Sequence, residues 1–254
     1  MAMFDAKTMR EWMKSGKPMI GPFSRCSDPA MAEICGYGGF DFIVVDMEHG
    51  PNNAFSLQNI CRGCDVAGIA SLVRVSSIEE INKALDVGAT GVQVPQVGSA
   101  EYARKAIAAA KFFPDGERGV CRNVRAAMYS AKDRFDYFRD ANDTIVILQI
   151  EGQEGLDNLD EILEVPGIDI IFIGPYDLSQ SLGLTGQVSH PAVEEAMEKI
   201  IAKCAAKGIV VGTFCDTIEN GKKWIAKGVQ YLNYCIDVSL FYNVCADTVK
   251  ALKG

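Results

Sequence analysis

Apolar runs rich in Ile and Val recur along this chain, and most are followed by a polar stretch long enough for a helix. The clearest pair is Ile145-Val146-Ile147-Leu148-Gln149-Ile150-Glu151 and Ile170-Ile171-Phe172-Ile173-Gly174. Neither run alternates with polar residues, so each reads as a strand buried on both faces. The polar residues between them predict a helix, and strand, helix and strand in succession make a parallel βαβ unit. Parallel strands end on one side of their sheet. Glu151 and Asp177, at the ends of the two halves, are therefore predicted to be neighbours at the edge where α/β folds bind ligands. Two carboxylates there repel unless something positive lies between them, and a hard divalent cation is the simplest candidate.

The pattern continues in both directions. Strands are predicted at residues 18–23, 40–46, 69–75, 91–95, 143–151, 167–174, 208–214 and 229–235. Helices are predicted at 54–66, 78–87, 99–111, 132–140, 190–206, 217–227 and 237–253. Another opens at Ser27-Asp28-Pro29, a capping residue followed by Pro. Residues 1–13 read as a leading amphipathic helix with Phe4, Met9, Trp12 and Met13 on its apolar side. Strands alternating with helices in this way predict an α/β fold, a single (β/α)8 TIM barrel domain over residues 1–254 with an extra N-terminal helix. A doubly wound sheet is the alternative. If it bound a dinucleotide it would carry a Gly-x-Gly-x-x-Gly turn after its first strand, and Ser24-Arg25-Cys26-Ser27 is not one. Regularity breaks at residues 112–125, a loop with Pro114, Gly116 and Gly119 and with Arg118, Arg122 and Arg125 close together. Long irregular loops in compact domains are usually functional.

Composition narrows the function. A net charge of -8 with no basic block argues against a nucleic-acid partner, whose binding needs clustered Lys and Arg. No apolar run approaches a membrane span and no export signal is read, so a cytoplasmic protein with no membrane partner is expected. Nine scattered cysteines then read as reduced thiols, buried at Cys35, Cys204 and Cys245, and the lone Cys61-x-x-Cys64 reads as helix packing.

In a barrel the chemistry sits at the C-terminal ends of the strands. Those ends carry Asp46, Glu48 and His49, then Arg74, Gln96, Gln149 and Glu151, and then Asp177. Any one of these has a plain structural use as a salt bridge or cap, but so many at one face are costly to bury without a purpose. Glu151 and Asp177 suit Mg²⁺ or Mn²⁺. Arg74 can donate to a carboxylate or a developing enolate oxygen, and His49 can move a proton with Asp46 to orient it. Gly174-Pro175-Tyr176-Asp177 turns directly into a short helix whose first N–H groups suit a substrate carboxylate. The set fits proton abstraction or C–C cleavage next to a carbonyl. A Schiff-base aldolase needs a Lys near a strand's C-terminal end, and none of the predicted strands supplies one.

At this point the residues resemble a known family. Asp46-Met47-Glu48-His49-Gly50-Pro51-Asn52-Asn53, Leu85-Asp86-Val87-Gly88-Ala89 through Pro95, the Pro114 to Val120 loop, Gln149-Ile150-Glu151 and Gly174-Pro175-Tyr176-Asp177-Leu178-Ser179 are similar, in that order, to motifs of the HpcH/HpaI class II pyruvate aldolases. The resemblance implies a metal-dependent lyase that cleaves a 4-hydroxy-2-oxo acid to pyruvate and an aldehyde through a metal-stabilised enolate. It implies Glu151 and Asp177 as metal ligands for Mg²⁺ or Mn²⁺, with Co²⁺ or Zn²⁺ as further candidates. It makes His49 the base supported by Asp46, Arg74 the enolate contact, and Gln149, Gly174 and Tyr176 substrate-binding residues. It implies a homo-oligomer, trimeric or hexameric, in which the last helix packs on a neighbouring barrel. Tyr176 stands where a small residue is common, and it either narrows the site or turns outward. Arg122 and Arg125 are candidates for a second substrate carboxylate. Oxaloacetate decarboxylation, a malyl-CoA or citramalyl type of lysis, and a non-catalytic barrel that binds small acids are the alternatives.

Overall fold

A computed structural model describes residues 4–254, so Met1 to Met3 of the predicted leading helix lie outside the described residues. Eight parallel strands pair in chain order and β8 closes onto β1, the predicted barrel. They are β1 (Met19–Ser24), β2 (Phe42–Asp46), β3 (Ala70–Arg74), β4 (Gly91–Val94), β5 (Ile145–Ile150), β6 (Ile170–Ile173), β7 (Val210–Cys215) and β8 (Tyr231–Ile236). The helices are α1 (Ala6–Ser15), α2 (Pro29–Tyr37), α3 (Ala54–Ala67), α4 (Ile81–Asp86), α5 (Ala100–Ala110), α6 (Arg134–Ala141), α7 (Gln153–Asp157), α8 (Leu159–Leu163), α9 (Pro175–Ser181), α10 (Pro191–Lys207), α11 (Ile218–Ala226) and α12 (Asp237–Lys253). The single helix expected between β5 and β6 is two short ones, and the one expected at 78–87 begins as a 3₁₀ turn over Ile78–Glu80.

The strands look uniformly apolar, yet their two faces meet different partners. Ile43, Val45, Val73, Val92, Val146, Leu148 and Ile171 point out and join the layer between sheet and helices, together with Leu57, Ile60, Met197 and Ile200. Phe42, Val44, Leu72, Ile147, Phe172 and Tyr231 share the barrel interior. Phe42 and Tyr231 stack there at 4.5 Å between ring centroids. The inward rows start apolar at the N-terminal ends and turn polar toward the C-terminal ends: Phe42, Val44, Asp46 on β2; Ala70, Leu72, Arg74 on β3; Ile145, Ile147, Gln149 on β5. With a side-chain period of two, that parity delivers the polar groups to one opening. The other opening is covered by α1, whose fully buried Met9 packs with Phe4, Trp12 and Met13 onto the interior cluster.

The loop at 112–125 lies at that closed end rather than at the polar one. Glu117 and Arg118 donate backbone N–H groups to the carbonyls of Ala108 and Lys111, where α5 ends, and Arg118 pairs with Asp86 at 2.8 Å. Cys61 and Cys64 are buried in the helix layer as expected, but Cys245 is exposed on α12. Val238, Phe241, Tyr242, Val244, Val249 and Leu252 are exposed on that same helix.

Candidate active site

Strand register builds the first part of the site. Asp46 and Arg74 are cross-strand partners on β2 and β3. Arg74 grips the carboxylate through Nε (3.0 Å) and a terminal nitrogen (2.8 Å), and its Nε also lies 3.2 Å from Glu48. Arg25, just past β1, adds Nε at 3.3 Å to the same Asp46. The backbone N–H groups of Glu48 and His49 donate to Asp46 as well, at 3.2 and 3.1 Å. Burial pushes the Asp46 carboxyl up, but the Arg74 hydrogen bonds and charge, with the His49 N–H and Arg25, outweigh it and hold the group below the usual carboxylate range. The Arg74 guanidinium also lies over the Phe23 ring, 4.6 Å from its centroid.

His49 is placed differently from the sequence reading. Asp46 meets its backbone, not its imidazole. The ring sits at the mouth with its side chain 53% exposed, and Nε2 is 3.7 Å from Glu48. Glu48 is therefore the carboxylate beside the imidazole, a part the sequence reading did not assign to it. Its pKa is raised by burial, against the pull of Arg74 and His49 and with the push of Asp46 and Asp177.

The second part lies across the mouth. Glu151 is 5% exposed. Its Oε1 accepts the N–H of Gln96 at 2.7 Å and its Oε2 accepts from the Gln149 carboxamide. Gln96 holds this donor with a left-handed backbone, φ 55°. Its side chain reaches Glu48 at 3.5 Å and so bridges the two halves. Burial pushes the Glu151 pKa up to about 7, opposed by Gln149 and the Gln96 N–H and helped by the charges of Asp177 and Glu48. Glu151 and Asp177 open into one cleft of ≈ 380 Å³ with Gln96, Gly98, Glu154 and Gln180. Gly174 makes room for them, since a Cβ on it would sit 2.4 Å from Glu151 Oε2.

This donor set fits a hard divalent cation. Two carboxylates open into one cleft, and Arg25 and Arg74 pair with Asp46 and, for Arg74, Glu48 rather than with either of them. Among the described residues no cluster of three or more His, Cys, Asp or Glu could hold a metal. Glu151 and Asp177 would supply two oxygen ligands, and an ion held there would complete its shell with water and substrate.

Tyr176 turns toward β7. Its hydroxyl donates to Asp216 at 2.8 Å and its ring packs edge-on to Phe214. Burial and the Asp216 carboxylate raise its pKa to about 12. It is 45% exposed and stands on the rim, on the other side of α9 from the acidic cleft. Arg125 and Arg122 are not at the mouth. Arg125 pairs with Asp65 and donates to the Val87 carbonyl before β4, at the closed end, and Arg122 donates to the Ser130 carbonyl. Arg74 and Arg25, by contrast, stand at the mouth beside Asp46. Arg25 was visible only as a charged residue directly after the first apolar run.

The chain is similar along almost its whole length to known proteins. Residues 19–244 match the family described as HpcH/HpaI aldolase/citrate lyase. The 2-dehydro-3,6-dideoxy-6-sulfogluconate aldolase of Pseudomonas putida is 35% identical over 245 residues, 95% of each chain. The 5-keto-4-deoxy-D-glucarate aldolase of Shigella dysenteriae is 35% identical over 237 residues, 91% of this chain and 92% of that one. A crystal structure of an HpcH/HpaI aldolase/citrate lyase family protein from Burkholderia cenocepacia superposes with a TM-score of 0.92 at 29% identity, covering 98% of this chain and all of the other. The chain belongs to the HpcH/HpaI aldolase/citrate lyase family, and so to a family of lyase-type enzymes.

Proposed function

We propose that this protein is a divalent-metal-dependent aldolase that reversibly cleaves a 4-hydroxy-2-oxo acid into pyruvate and an aldehyde. The observation that carries the reading is the pair Glu151 and Asp177 at one cleft, joined through Gln96 and Glu48 to Arg74. Glu151 and Asp177 would hold Mg²⁺ or Mn²⁺, and the bound ion would draw electron density from the 2-oxo group. Arg74, kept rigid by Asp46 and Glu48, donates to the same oxygen as charge develops there. His49 takes the proton of the C4 hydroxyl through a water, and Glu48 steadies the imidazolium. Loss of that proton breaks the C3–C4 bond, releases the aldehyde and leaves the electron pair on the three-carbon fragment. Protonation at C3 completes pyruvate. Asp46 acts at one remove, as the residue that positions Arg74 and the His49 backbone. Gln149 and Gly174 shape the wall beside Glu151, and Tyr176 forms the rim.

The named substrates of both relatives carry a second anionic group, and we assign its counterpart here to Arg25. Among the described residues its one side-chain partner is Asp46, which takes only Nε. Its terminal nitrogens suit a carboxylate on the aldehyde half. The exposed apolar face of α12 supports a homo-oligomer in which a second copy covers it, and sedimentation would show a trimer or larger.

Oxaloacetate decarboxylation tests the core of the reading without knowledge of the aldehyde. Activity that is lost with EDTA, regained with Mg²⁺ or Mn²⁺ and abolished in Glu151→Ala is expected. Unchanged turnover by Glu151→Ala would sink the assignment.

A further inference from the structure

The barrel interior below the site is less apolar than its strands suggest. Gln93 on β4 is fully buried, Gln149 on β5 is 1% exposed and Tyr231 on β8 is 1% exposed. Gln93 Nε2 donates to Gln149 Oε1 at 2.6 Å. Gln149 Nε2 donates to Glu151 Oε2. The Tyr231 hydroxyl reaches Gln93 Oε1 at 3.5 Å. These contacts form one chain from the floor of the barrel to a carboxylate of the cleft.

The chain has a fixed direction. A carboxylate that ligates a cation only accepts, so the Gln149 amide turns its nitrogen to Glu151 and its oxygen inward. That oxygen needs a donor, so Gln93 must turn its nitrogen up and its oxygen down. The Tyr231 O–H is the donor at the lower end. Each amide is thereby locked in one of its two flipped states. Without Gln93, the Gln149 carboxamide would have a buried acceptor with no donor and would be free to turn over, presenting oxygen to Glu151.

We infer that Gln93 is a positioning residue for the cation site, acting through Gln149 to set the orientation of Glu151. The inference rests on the assignment of Glu151 as a cation ligand. Glu151 then has one oxygen steadied by the Gln96 N–H and the other by Gln149, with lone pairs left on both for the ion. Partners that orient a ligand in this way typically change metal affinity ten- to a hundredfold when removed. Their effect passes through the residue they touch, so it is non-additive with loss of that residue.

The test is Mn²⁺ affinity of the full chain by calorimetry, with no substrate present. The proteins are the parent, Gln93→Leu, Gln149→Leu, the Gln93→Leu/Gln149→Leu double variant and Glu151→Gln. Gln93→Leu is expected to weaken Mn²⁺ by about ten- to a hundredfold, with kcat on oxaloacetate restored at saturating Mn²⁺ and KM unchanged. A fault in packing alone would not be repaired by added metal. The double variant is expected to bind like Gln149→Leu. It also keeps the test alive if Gln93→Leu fails to fold, because it removes both ends of that hydrogen bond together. Parent-like affinity in Gln93→Leu, or a double variant clearly weaker than Gln149→Leu, overturns the relay. If Glu151→Gln binds Mn²⁺ as well as the parent does, the cation assignment itself fails, and the relay with it.

Discussion

Replacing Gly174 with Ala would test the site without touching a single functional group. Gly174 sits at φ -89°, ψ 93°, where alanine is comfortable, so backbone strain plays no part. The added methyl is the whole perturbation. It would lie 2.4 Å from Glu151 Oε2, 2.9 Å from Glu151 Cβ and 3.2 Å from Gln149 Nε2. Ordinary carbon contacts begin near 3.4 Å, so the carboxylate oxygen must retreat by about 1 Å. A displacement of that size costs roughly a hundredfold in rate, and overpacking of this kind costs about 1–3 kcal/mol in stability. Gly152→Ala is the control, since a Cβ there meets nothing within 4 Å although it follows Glu151 directly. Steady-state oxaloacetate decarboxylation and Mn²⁺ affinity would be measured on both, with thermal melts to show that each is folded. Gly174→Ala should lose activity and metal affinity together while Gly152→Ala keeps both. A Gly174→Ala protein with parental kcat/KM and parental Mn²⁺ affinity would refute the placement of Glu151 against this turn.

Asp46→Asn leaves Arg74 and Arg25 short of their shared carboxylate in a buried setting, so a loss of about 3 kcal/mol is expected. Thermal melting should fall by about 6–12 °C, and a shift under 2 °C would contradict the role given to Asp46. Arg25→Ala should raise KM about tenfold for an aldol whose aldehyde half is anionic, whereas Arg125→Ala at the closed end should lower stability and leave KM alone. A pH effect should appear far from the site, at Lys111. It is buried, with Nζ donating to the carbonyls of Asn142 and Thr144, and burial lowers its pKa to about 8. Between pH 8 and its ordinary value of 10.5 the unfolded chain binds the extra proton, so this group makes stability rise with pH across that window. Chemical denaturation of the parent against Lys111→Met should show the difference growing by about 3 kcal/mol from pH 8 to 10.5, and a flat difference would contradict the burial argument.

Much of the molecule was legible before folding was considered. Continuous Ile- and Val-rich runs alternating with helical stretches admit few arrangements, and the (β/α)8 barrel is one of them. The carboxylates Glu151 and Asp177 stood out because each closes a hydrophobic segment where no charge is needed for solubility. What the sequence left open or assigned to the wrong partner involved side-chain direction. Arg122 and Arg125 stand together in a loop that the sequence marks as irregular, but nothing in the order of residues says which end of the barrel a loop occupies. That depends on α5 running antiparallel to its strand and delivering the loop to the closed end. The partner of His49 was likewise a matter of direction, because Asp46 spends its oxygens on Arg74, Arg25 and two backbone N–H groups while Glu48 lies beside the ring.

The alternation of elements, the parallel sheet and the rows of polar residues that end its strands are written in the order of residues, because these depend on local periodicity and on which residues water rejects. Which of those polar groups meet is settled by the folded barrel. Barrel closure sets β4 beside β5 and brings β8 across the interior, so Gln93, Gln149 and Tyr231, 138 positions apart at the extremes, become one hydrogen-bonded column under Glu151. Contacts of that range carry no signature in local pattern. They exist because an inward-facing amide in a closed barrel has no water to turn to and must find its partner across the core.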